Sequence, residues 1–266
     1  MITFALYNLK GGVGKTTTAV NLAALSAQEG YRTLLWDVDP QAASSYFFQT
    51  EGGMNGHTRD VLVDGQAVDG YIRPTSQPHL DIIPGDLATR RLDALLAEAK
   101  GKRSRFKQLL RDVEQRYDYV FLDCPPTLNL VAENVFKSAN FVLLPIIPSA
   151  LTERTFAQVQ AFFDEHDYDA RKLVPFFNLV DKRRRVHQDT LLSFRAAHDK
   201  CLRTAIPATA LIERMGTQRA PVVRFGANSP LMTAYRSLWM ELKQMRKLKS
   251  RKVLGLHLSP GLRKDK

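Results

Sequence analysis

The sequence is poor in cysteine and contains no long hydrophobic run. Only two of its 266 residues are cysteines, Cys124 and Cys201, which are too few for a disulfide framework or a four-thiolate metal site. No stretch approaches the roughly 18 to 20 apolar residues that a membrane-spanning helix needs. The first residues, MITFALYNLKGG, lack the basic start and the cleavage site of a signal peptide. We therefore expect a protein of a reducing cytoplasm.

Acidic residues are in deficit. The chain has 38 lysines and arginines against 27 aspartates and glutamates, a formal net charge of +11. A surplus of this size favours a polyanionic partner, either nucleic acid or an anionic membrane surface, although a basic surface also serves solubility alone. The contents of 44% hydrophobic and 24% charged residues are ordinary for globular proteins and exclude wholesale disorder.

Short apolar runs alternate with segments of helical periodicity along most of the chain. This rhythm is typical of βαβ units, and so predicts an α/β fold with a mostly parallel, doubly wound sheet and helices on both faces. The glycine-containing stretch 51–65 is predicted to be a surface loop. The predicted strands are 2–6, 33–38, 79–84, 119–122, 141–145 and 172–179, and the predicted helices are 16–28, 89–98, 105–116, 152–166 and 190–201.

A glycine-rich segment, KGGVGKTT at residues 10–17, lies between the first predicted strand and the first predicted helix. It ends as phosphate-binding loops do, but Leu9 stands where the usual pattern has its first glycine. Glycines let backbone N–H groups curl around phosphate oxygens, at which the positive end of the helix dipole points. Lys15 is expected to contact the β- and γ-phosphates of a nucleotide, and the Thr16 hydroxyl to bind Mg²⁺. The predicted nucleotide-binding residues of this loop are Gly11, Gly12, Val13, Gly14, Lys15, Thr16 and Thr17.

Lys10 is a second lysine on the rim of the same loop, five positions before Lys15. From the rim it need not reach phosphates bound by its own chain. It can supply positive charge to the nucleotide of a second subunit, as an arginine finger does, or it can be a solvated surface lysine.

Acidic residues follow two of the predicted strands. The segment LLWDVDPQ carries Asp37 and Asp39, and YVFLDCPP ends its apolar run at Asp123. Open α/β sheets bind ligands at the carboxyl ends of their strands, and an acid there can hold Mg²⁺ through water. Such acids also cap helices or form turns, so the prediction of a nucleotide hydrolase depends on the loop and the acids together.

These three segments resemble the ParA/MinD family of deviant-Walker P-loop ATPases, and its ParA branch in particular. KGGVGKTT matches the family's loop, DVDPQ the segment after its second strand and FLDCPP the strand of its hydrolysis switch, and the resemblance extends to about residue 242. It implies an ATPase that uses ATP and Mg²⁺ and forms a homodimer around two nucleotides. Residues 246–266 are the only segment that looks like an appendage, so we expect an ATPase domain over residues 1–245 and a basic tail over residues 246–266.

The resemblance also implies roles for individual residues. Lys10 would reach the nucleotide of the other subunit, and Asp39 would position the attacking water. Asp37 would support the metal shell, and Asp123 with the turn 124–126 would sense the γ-phosphate. Two further residues fall where the family contacts adenine, namely Asn178 and Pro207.

In this family the ATP-bound dimer binds DNA without sequence preference, and a ParB-like partner or its equivalent stimulates hydrolysis and release. Such cycles position plasmids, chromosomes or protein cargos such as carboxysomes over the nucleoid. Ala208 and Leu211 stand where relatives often carry arginines, but contacts to the DNA backbone need charge more than fixed geometry. The residues predicted to contact DNA are Arg183, Arg184, Arg214, Arg219, Arg224, Lys243, Arg246 and Lys247.

The carboxyl-terminal segment concentrates the basic surplus, with nine lysines and arginines against one aspartate in residues 243–266. It can be an arm that follows DNA, an amphipathic membrane anchor of the MinD type, or a solvated helix end. Its apolar residues over 239–248 favour a last helix that packs on the sheet, and the short segment VLGLHL is a poor anchor, so membrane binding is not expected.

Two other classes of function share this scaffold. ATP-dependent amidoligases or kinases have the same loop but usually carry extra substrate machinery, for which this chain has little room. A nucleotide-gated binding module without turnover is disfavoured by the presence of both Lys10 and Asp39. The cargo and its adaptor protein cannot be read from the sequence.

Overall fold

The computed structural model describes residues 1–50, 53–54, 57–85 and 90–253, with side chains described up to residue 245. These residues form one eight-stranded sheet in the order β3-β4-β2-β5-β1-β6-β7-β8. Neighbouring strands are parallel except for β3, which is antiparallel to β4. The strands are β1 (Ile2–Leu6), β2 (Thr33–Asp37), β3 (Arg73–Pro74), β4 (Leu80–Ile83), β5 (Tyr119–Asp123), β6 (Phe141–Ile146), β7 (Leu173–Val180) and β8 (Ala205–Pro207).

Helices connect the strands and cover the sheet. The long connections are required because parallel neighbours cannot be joined by a tight turn. The helices are α1 (Lys15–Gln28), α2 (Ala43–Phe47), α3 (Thr58–Leu62), α4 (Leu92–Glu98), α5 (Arg105–Asp112), α6 (Leu130–Ser138), α7 (Thr152–Glu165), α8 (Arg185–Ala197), α9 (Leu211–Gln218) and α10 (Pro230–Val253).

Two apolar clusters show that both faces of the sheet are covered. Alternate residues of β1 point to opposite faces, with Phe4 and Leu6 in one cluster and Ala5 in the other. The cluster around Phe4 contains the apolar residues of α1, α9 and α10, whereas the cluster around Ala5 contains those of α4 to α8. Because it is buried on both sides, each central strand is an almost continuous apolar run. The predicted doubly wound α/β class is confirmed.

The last helix packs on the sheet as its apolar residues predict. Trp239 of α10 is fully buried, and its ring lies 4.8 Å from that of Tyr119 and 6.4 Å from that of Phe4. This helix continues to Val253, past residue 246, at which the basic tail is predicted to begin. Residues 254–266 lie outside the described part of the chain. No helix within the described ranges is long and apolar enough to cross a membrane.

Several predicted boundaries are wrong by a few residues. The helix predicted over 190–201 is α8, which begins at Arg185 and ends at Ala197. The prediction misses its first turn because that turn is basic and carries little apolar periodicity. The helix predicted over 105–116 ends at Asp112. The stretch 51–65, predicted as a loop, contains the helix α3, whose Val61 and Leu62 are fully buried in the core. Two apolar residues in five do not make a period that a sequence reader can see.

Candidate functional site

The register of the central strands brings the predicted site residues to one edge of the sheet. Asp123, the last residue of β5, pairs with Leu6 at the end of β1 and with Asp37 at the end of β2. The glycine-rich loop starts directly after β1, so the loop and the two acids meet at the carboxyl ends of adjacent strands. From β1 the chain continues to β2 on one side of β1, and from β5 it crosses to β6 on the other side. The connections thus run in opposite directions from the centre of the sheet, and open α/β sheets bind ligands in the crevice at such a point.

Glycine is required at two positions of the loop. Gly12 and Gly14 have φ angles of +71° and +87°, in the left-handed region that side chains disfavour. A Cβ on Gly14 would also collide with the amide group of Asn178. Gly14 caps α1, whose first turn contains no acidic side chain, so its N–H groups and dipole are available to an external anion.

Asn178 and Asn8 hold the loop from two sides. The buried Asn178 amide, on β7, donates to the backbone oxygen of Val13 at 2.7 Å. The buried Asn8 side chain donates to the backbone oxygen of Pro145 at 2.9 Å, and its oxygen accepts from the Lys10 N–H at 2.9 Å. The loop is therefore fixed in shape by side chains on both flanks, which lowers the cost of ordering it around a ligand.

The two lysines of the loop lie in contrasting environments. Lys15 is 7% exposed, and its ammonium group donates to the backbone oxygen of Lys10 at 3.3 Å. Burial lowers the pKa of Lys15, and the nearby carboxylates of Asp123 and Asp39 oppose that shift. Lys10 is exposed. The buried lysine thus faces the acids, and the exposed one is available to another molecule.

The carboxylates of Asp37 and Asp123 are both fully buried. One oxygen of Asp37 accepts from the Ser45 hydroxyl at 2.7 Å and from the Ser45 N–H at 2.8 Å. One oxygen of Asp123 accepts from the Ser44 hydroxyl at 2.7 Å. The other oxygen of each carboxylate has no hydrogen-bond partner within the described residues. Buried acceptors without partners are rare in folded proteins, and they point to a missing cation or donor.

Burial and like charge both act on this acid pair. Desolvation raises the pKa of Asp37, and the neighbouring Asp123 carboxylate raises it further, while the bonds from Ser45 oppose the shift. Desolvation likewise raises the pKa of Asp123, against the hydrogen bond from Ser44 and the influence of the nearby Thr16 hydroxyl and Lys15 ammonium group. Perturbed acids in a crevice are typical of functional sites.

The donor set of this edge suits Mg²⁺ bound together with phosphate. The described residues contain no group of three or more histidine, cysteine or acidic side chains placed to hold a metal by themselves. Mg²⁺ is usually held by one or two carboxylates, with phosphate oxygens and water completing its shell. The free oxygens of Asp37 and Asp123 and the Thr16 hydroxyl fit that requirement.

Other predicted site residues border this crevice. Asp39 follows β2 and is half-buried, and its carboxylate accepts from the Gln41 N–H at 2.9 Å. Pro207 ends β8 and pairs with Val180 of β7, on the strand that carries Asn178. Val13 is buried and Thr17 lies in the first turn of α1. The structure thus brings the predicted phosphate, metal and adenine residues to one end of the sheet.

The predicted DNA-contacting residues do not form one cluster of free charges. Arg183 makes three hydrogen bonds of 3.0 Å to the Asp181 carboxylate, and these hold the pKa of Asp181 at about 2. Arg184 beside it is exposed. Lys243 lies 2.6 Å from Glu29 and 5.8 Å from the centre of the Trp239 ring.

Three arginines near α9 are also engaged with neighbours. Arg214 lies over the Phe225 ring at 5.3 Å, and Arg219 over the Tyr46 ring at 4.5 Å. Arg224 donates to the Ser76 hydroxyl at 2.8 Å. Arg246 and Lys247 lie outside the residues whose side chains the structure describes. The role of all these residues in DNA binding stays a prediction.

Sequence reasoning missed the residues that hold the site in place. Asn8, Ser44 and Ser45 are buried polar residues that bond directly to the loop or the acids. A Ser-Ser pair five residues after Asp39 is a common helix start and carries no sign of its partners. The approach of Ser44 to Asp123, 79 residues away, exists only in the folded chain.

Comparisons with known proteins identify relatives of this chain. The family model AAA_31, described as an AAA domain, matches residues 1–172. Chromosome-partitioning ATPase Soj of Thermus thermophilus is 32% identical over 245 residues, which are 90% of this chain and 94% of that protein. Sporulation initiation inhibitor protein Soj of Bacillus subtilis is 38% identical over 143 residues, and that match spans 53% of this chain and only 56% of the relative's length.

Solved structures with low sequence identity share the fold. A plasmid partition protein of Borrelia burgdorferi bound to AMPPNP superposes with a TM-score of 0.77 at 21% identity, over 92% of this chain and 99% of that one. Cobyrinic acid a,c-diamide synthase of Mycobacterium smegmatis, with ADP and magnesium, has a TM-score of 0.75 at 23% identity, over 93% and 96%. With its loop, its acid pair and these relatives, the chain belongs to the ParA/MinD family of P-loop ATPases, as a member of AAA_31.

Proposed function

We propose that this protein is a partition ATPase of the ParA branch, which binds ATP with Mg²⁺, pairs with a second copy in that state and binds DNA without sequence preference. It positions a cargo over the nucleoid until a partner protein stimulates hydrolysis and release. The observation that carries the proposal is the buried pair Asp37 and Asp123 beside the buried Lys15, each acid having one oxygen without a hydrogen-bond partner among the described residues.

Each part of the nucleotide has residues suited to it. The N–H groups of the loop and the Lys15 ammonium would bind the phosphates, and Asn178 and Pro207 would border the base. Thr16, Asp37 and Asp123 would hold Mg²⁺, which neutralises charge on the phosphate oxygens. The buried side-chain oxygen of Asn178 has no hydrogen-bond partner in the described ranges and would accept from a donor such as an adenine amino group.

Hydrolysis needs a group that orients water in line with the terminal phosphate. Asp39 is the half-buried acid of this edge and carries a carboxylate only two residues from the metal-supporting Asp37. Its backbone turn, closed by the bond from Gln41, would hold that carboxylate in position. Asp39 would therefore accept a hydrogen bond from the attacking water.

Pairing of two copies would make the exposed Lys10 useful. Its backbone is held by Asn8 and Lys15, while its side chain extends from the loop. In a face-to-face dimer this side chain would reach the other subunit's phosphates. The charge it supplies there would favour the ATP-bound dimer over the ADP-bound one, since the γ-phosphate adds negative charge.

DNA binding is supported by the net charge of +11 and by the exposed Arg183 and Arg184. Relatives named as chromosome-partitioning ATPases support the partitioning role. The amidoligase alternative shares the fold at 23% identity, and a shared fold does not imply a shared reaction. The two functions can be told apart by activity: phosphate release from ATP without any carboxylate or ammonia acceptor would favour the ATPase over the amidoligase.

The experiment that tests the proposal compares the mass of the protein in solution with ATP and with ADP by light scattering. We expect the native chain to become dimeric with ATP only. Lys10→Ala is expected to stay monomeric, while the exposed control Lys107→Ala on α5 behaves as the native chain does. A Lys10→Ala protein that dimerises fully with ATP contradicts the proposed role of Lys10.

A further inference from the structure

The short helix α2 is attached to the acid pair at its second and third residues. Ser44 and Ser45 are buried, and their hydroxyl groups donate to Asp123 and Asp37, both at 2.7 Å. The Ser45 hydroxyl also accepts from the Gly85 N–H at 2.9 Å, after β4. The residue at the helix N-cap, Ala42, has no side chain that could cap it. The two carboxylates therefore hold the first turn of α2, a helix that also contacts α1.

The other end of α2 contacts α9 and the turn that follows it. The Tyr46 hydroxyl donates to the backbone oxygen of Gly216 at 3.2 Å, and its ring lies under the Arg219 guanidinium at 4.5 Å. The Gln49 amide donates to the backbone oxygen of Arg219 at 3.3 Å. These contacts connect α2 to one of the arginines predicted to contact DNA.

The backbone on this route is strained at three places. Ala42 before α2, Gln49 after it and Arg219 after α9 have φ angles of 51°, 54° and 44°. None is glycine, and non-glycine residues in this region store strain when the surroundings hold them there. A five-residue helix has little stability of its own, so the position of α2 depends on the residues that it contacts.

We propose that α2 is a mechanical link that passes the state of the acid pair to the Arg219 turn. Ser44 and Ser45 are positioning residues at one end, and Tyr46 and Gln49 transmit the change at the other. The link rests on the proposed function, because it needs a nucleotide that engages Asp37 and Asp123. A ligand that binds these carboxylates changes the hydrogen bonds that they accept from Ser44 and Ser45, and α2 shifts as a result. Contacts at Tyr46 then change the presentation of the Arg219 guanidinium.

Hydrogen exchange measured by mass spectrometry tests the link on the full chain. The protein is compared without nucleotide and with Mg²⁺ and a non-hydrolysable ATP analogue, and the analogue-induced change is followed in segments 43–49 and 211–219. We expect a change in both segments of the native protein. Tyr46→Ala should keep the change in 43–49 and reduce it in 211–219 by at least about threefold. Tyr46 is 46% exposed, so the variant should fold.

The serine end has its own pair of variants. Ser44→Ala should reduce the analogue-induced change in both segments, and Ser44→Thr, which keeps the hydroxyl, should restore it. A lower stability of Ser44→Ala alone would shift exchange with and without the analogue equally. It would leave their difference unchanged, and that result contradicts the link.

The outcomes separate this inference from the proposed function. Failure of the native protein to bind the analogue overturns both. Binding with a response in 43–49 but none in 211–219 overturns the link and leaves the ATPase proposal in place. A full response in 211–219 of Tyr46→Ala also overturns the link, since the change must then arrive by another route.

Discussion

The phosphate-loop edge and the basic surface hold their charged residues in opposite ways. At the edge, Asp37, Asp123 and Lys15 are buried, and each acid has one oxygen without a hydrogen-bond partner in the part of the chain that the structure describes. On the surface, Arg183 and Lys243 are each paired with an acid of the same chain. Hydrogen-bond acceptors thus lack partners where a ligand is expected to bind, whereas the basic side chains on the surface are neutralised by neighbouring acids. The function of the edge therefore depends on particular charged residues, whereas on the surface one basic residue can replace another.

The same contrast appears in stability. Two carboxylates buried side by side work against folding in the absence of a ligand, because each is desolvated and repels the other. Exposed ion pairs such as Arg183–Asp181 contribute little, since water and salt screen them. Variants at the edge should therefore change activity and stability strongly and in opposite directions, whereas variants on the surface should change only affinity for a polyanion.

The largest effect is expected at Asp39. Asp39→Asn keeps an acceptor for the Gln41 N–H but removes the carboxylate, so the turn should persist while water loses its orienting group. We expect the rate of ATP hydrolysis to fall by about 100-fold or more, with nucleotide-dependent dimerisation and DNA binding retained. Phosphate release and light scattering measure the two. Asp64→Asn, an exposed acid elsewhere, is the control, and unchanged phosphate release in Asp39→Asn refutes the role.

Asp37→Asn should separate stability from activity. Asparagine keeps an acceptor for Ser45 and removes one of two buried like charges. Without nucleotide or Mg²⁺, we expect the free energy of unfolding at pH 8 to rise by about 1–3 kcal/mol, while Mg²⁺-dependent hydrolysis is lost. Urea denaturation in the presence of a chelator measures the gain. A variant less stable than the native chain at pH 8 would mean that the acid pair is not under strain.

The pH dependence follows from the sign of the same pKa shift. Burial and Asp123 raise the pKa of Asp37 above its value of about 3.9 in the unfolded chain, so the folded state binds the proton more tightly. The stabilisation from this proton is complete below pH 3.9 or so and is lost as pH rises through the folded pKa. The native apoprotein should therefore lose stability from pH 5 to pH 8, and Asp37→Asn should lose less. Equal slopes would contradict the shift.

The sequence predicts the edge well because its chemistry allows few alternatives. The loop needs Gly12 and Gly14 for their positive φ angles, and the acids must end their strands, so these residues stand out as motifs. Strand runs are legible because parallel strands are apolar on both faces. The sequence alone therefore predicts the fold class, and it predicts that the loop, Asp37 and Asp123 lie at one edge of the sheet.

The supporting shell could not be predicted for the opposite reason. Ser44 meets Asp123 through tertiary structure, and a buried serine in a sequence looks like a serine on the surface. The pairing of Arg183 with Asp181 is local, but a DKR segment predicts a basic patch as readily as an ion pair. Short helices such as α2 and α3 have too few residues to show a period.

The smallest effects are expected on the basic surface, where Asp181 should act as a brake on Arg183. Asp181→Asn removes the charge that holds the Arg183 side chain, and we expect affinity for random duplex DNA in the presence of ATP to rise by about 3- to 10-fold. Arg183→Ala should lower affinity by a similar factor and reduce the slope of log affinity against log salt by about one. Fluorescence anisotropy over a salt series measures both. A lower affinity of Asp181→Asn for DNA would mean that the Arg183–Asp181 ion pair holds the DNA-binding surface of the protein in its binding conformation.

Lys243 is the matched comparison for Arg183, because both are basic residues paired with an acid but they differ in exposure. The Arg183 side chain is 90% exposed, whereas Lys243 is 26% exposed and lies against both Glu29 and the Trp239 ring. Releasing Lys243 to DNA would give up two contacts, so we expect Lys243→Ala to change affinity by less than about twofold and to leave the salt slope unchanged. A loss equal to that of Arg183→Ala would instead place the start of the basic carboxyl-terminal segment on the DNA-binding face, and the surface would then extend along α10.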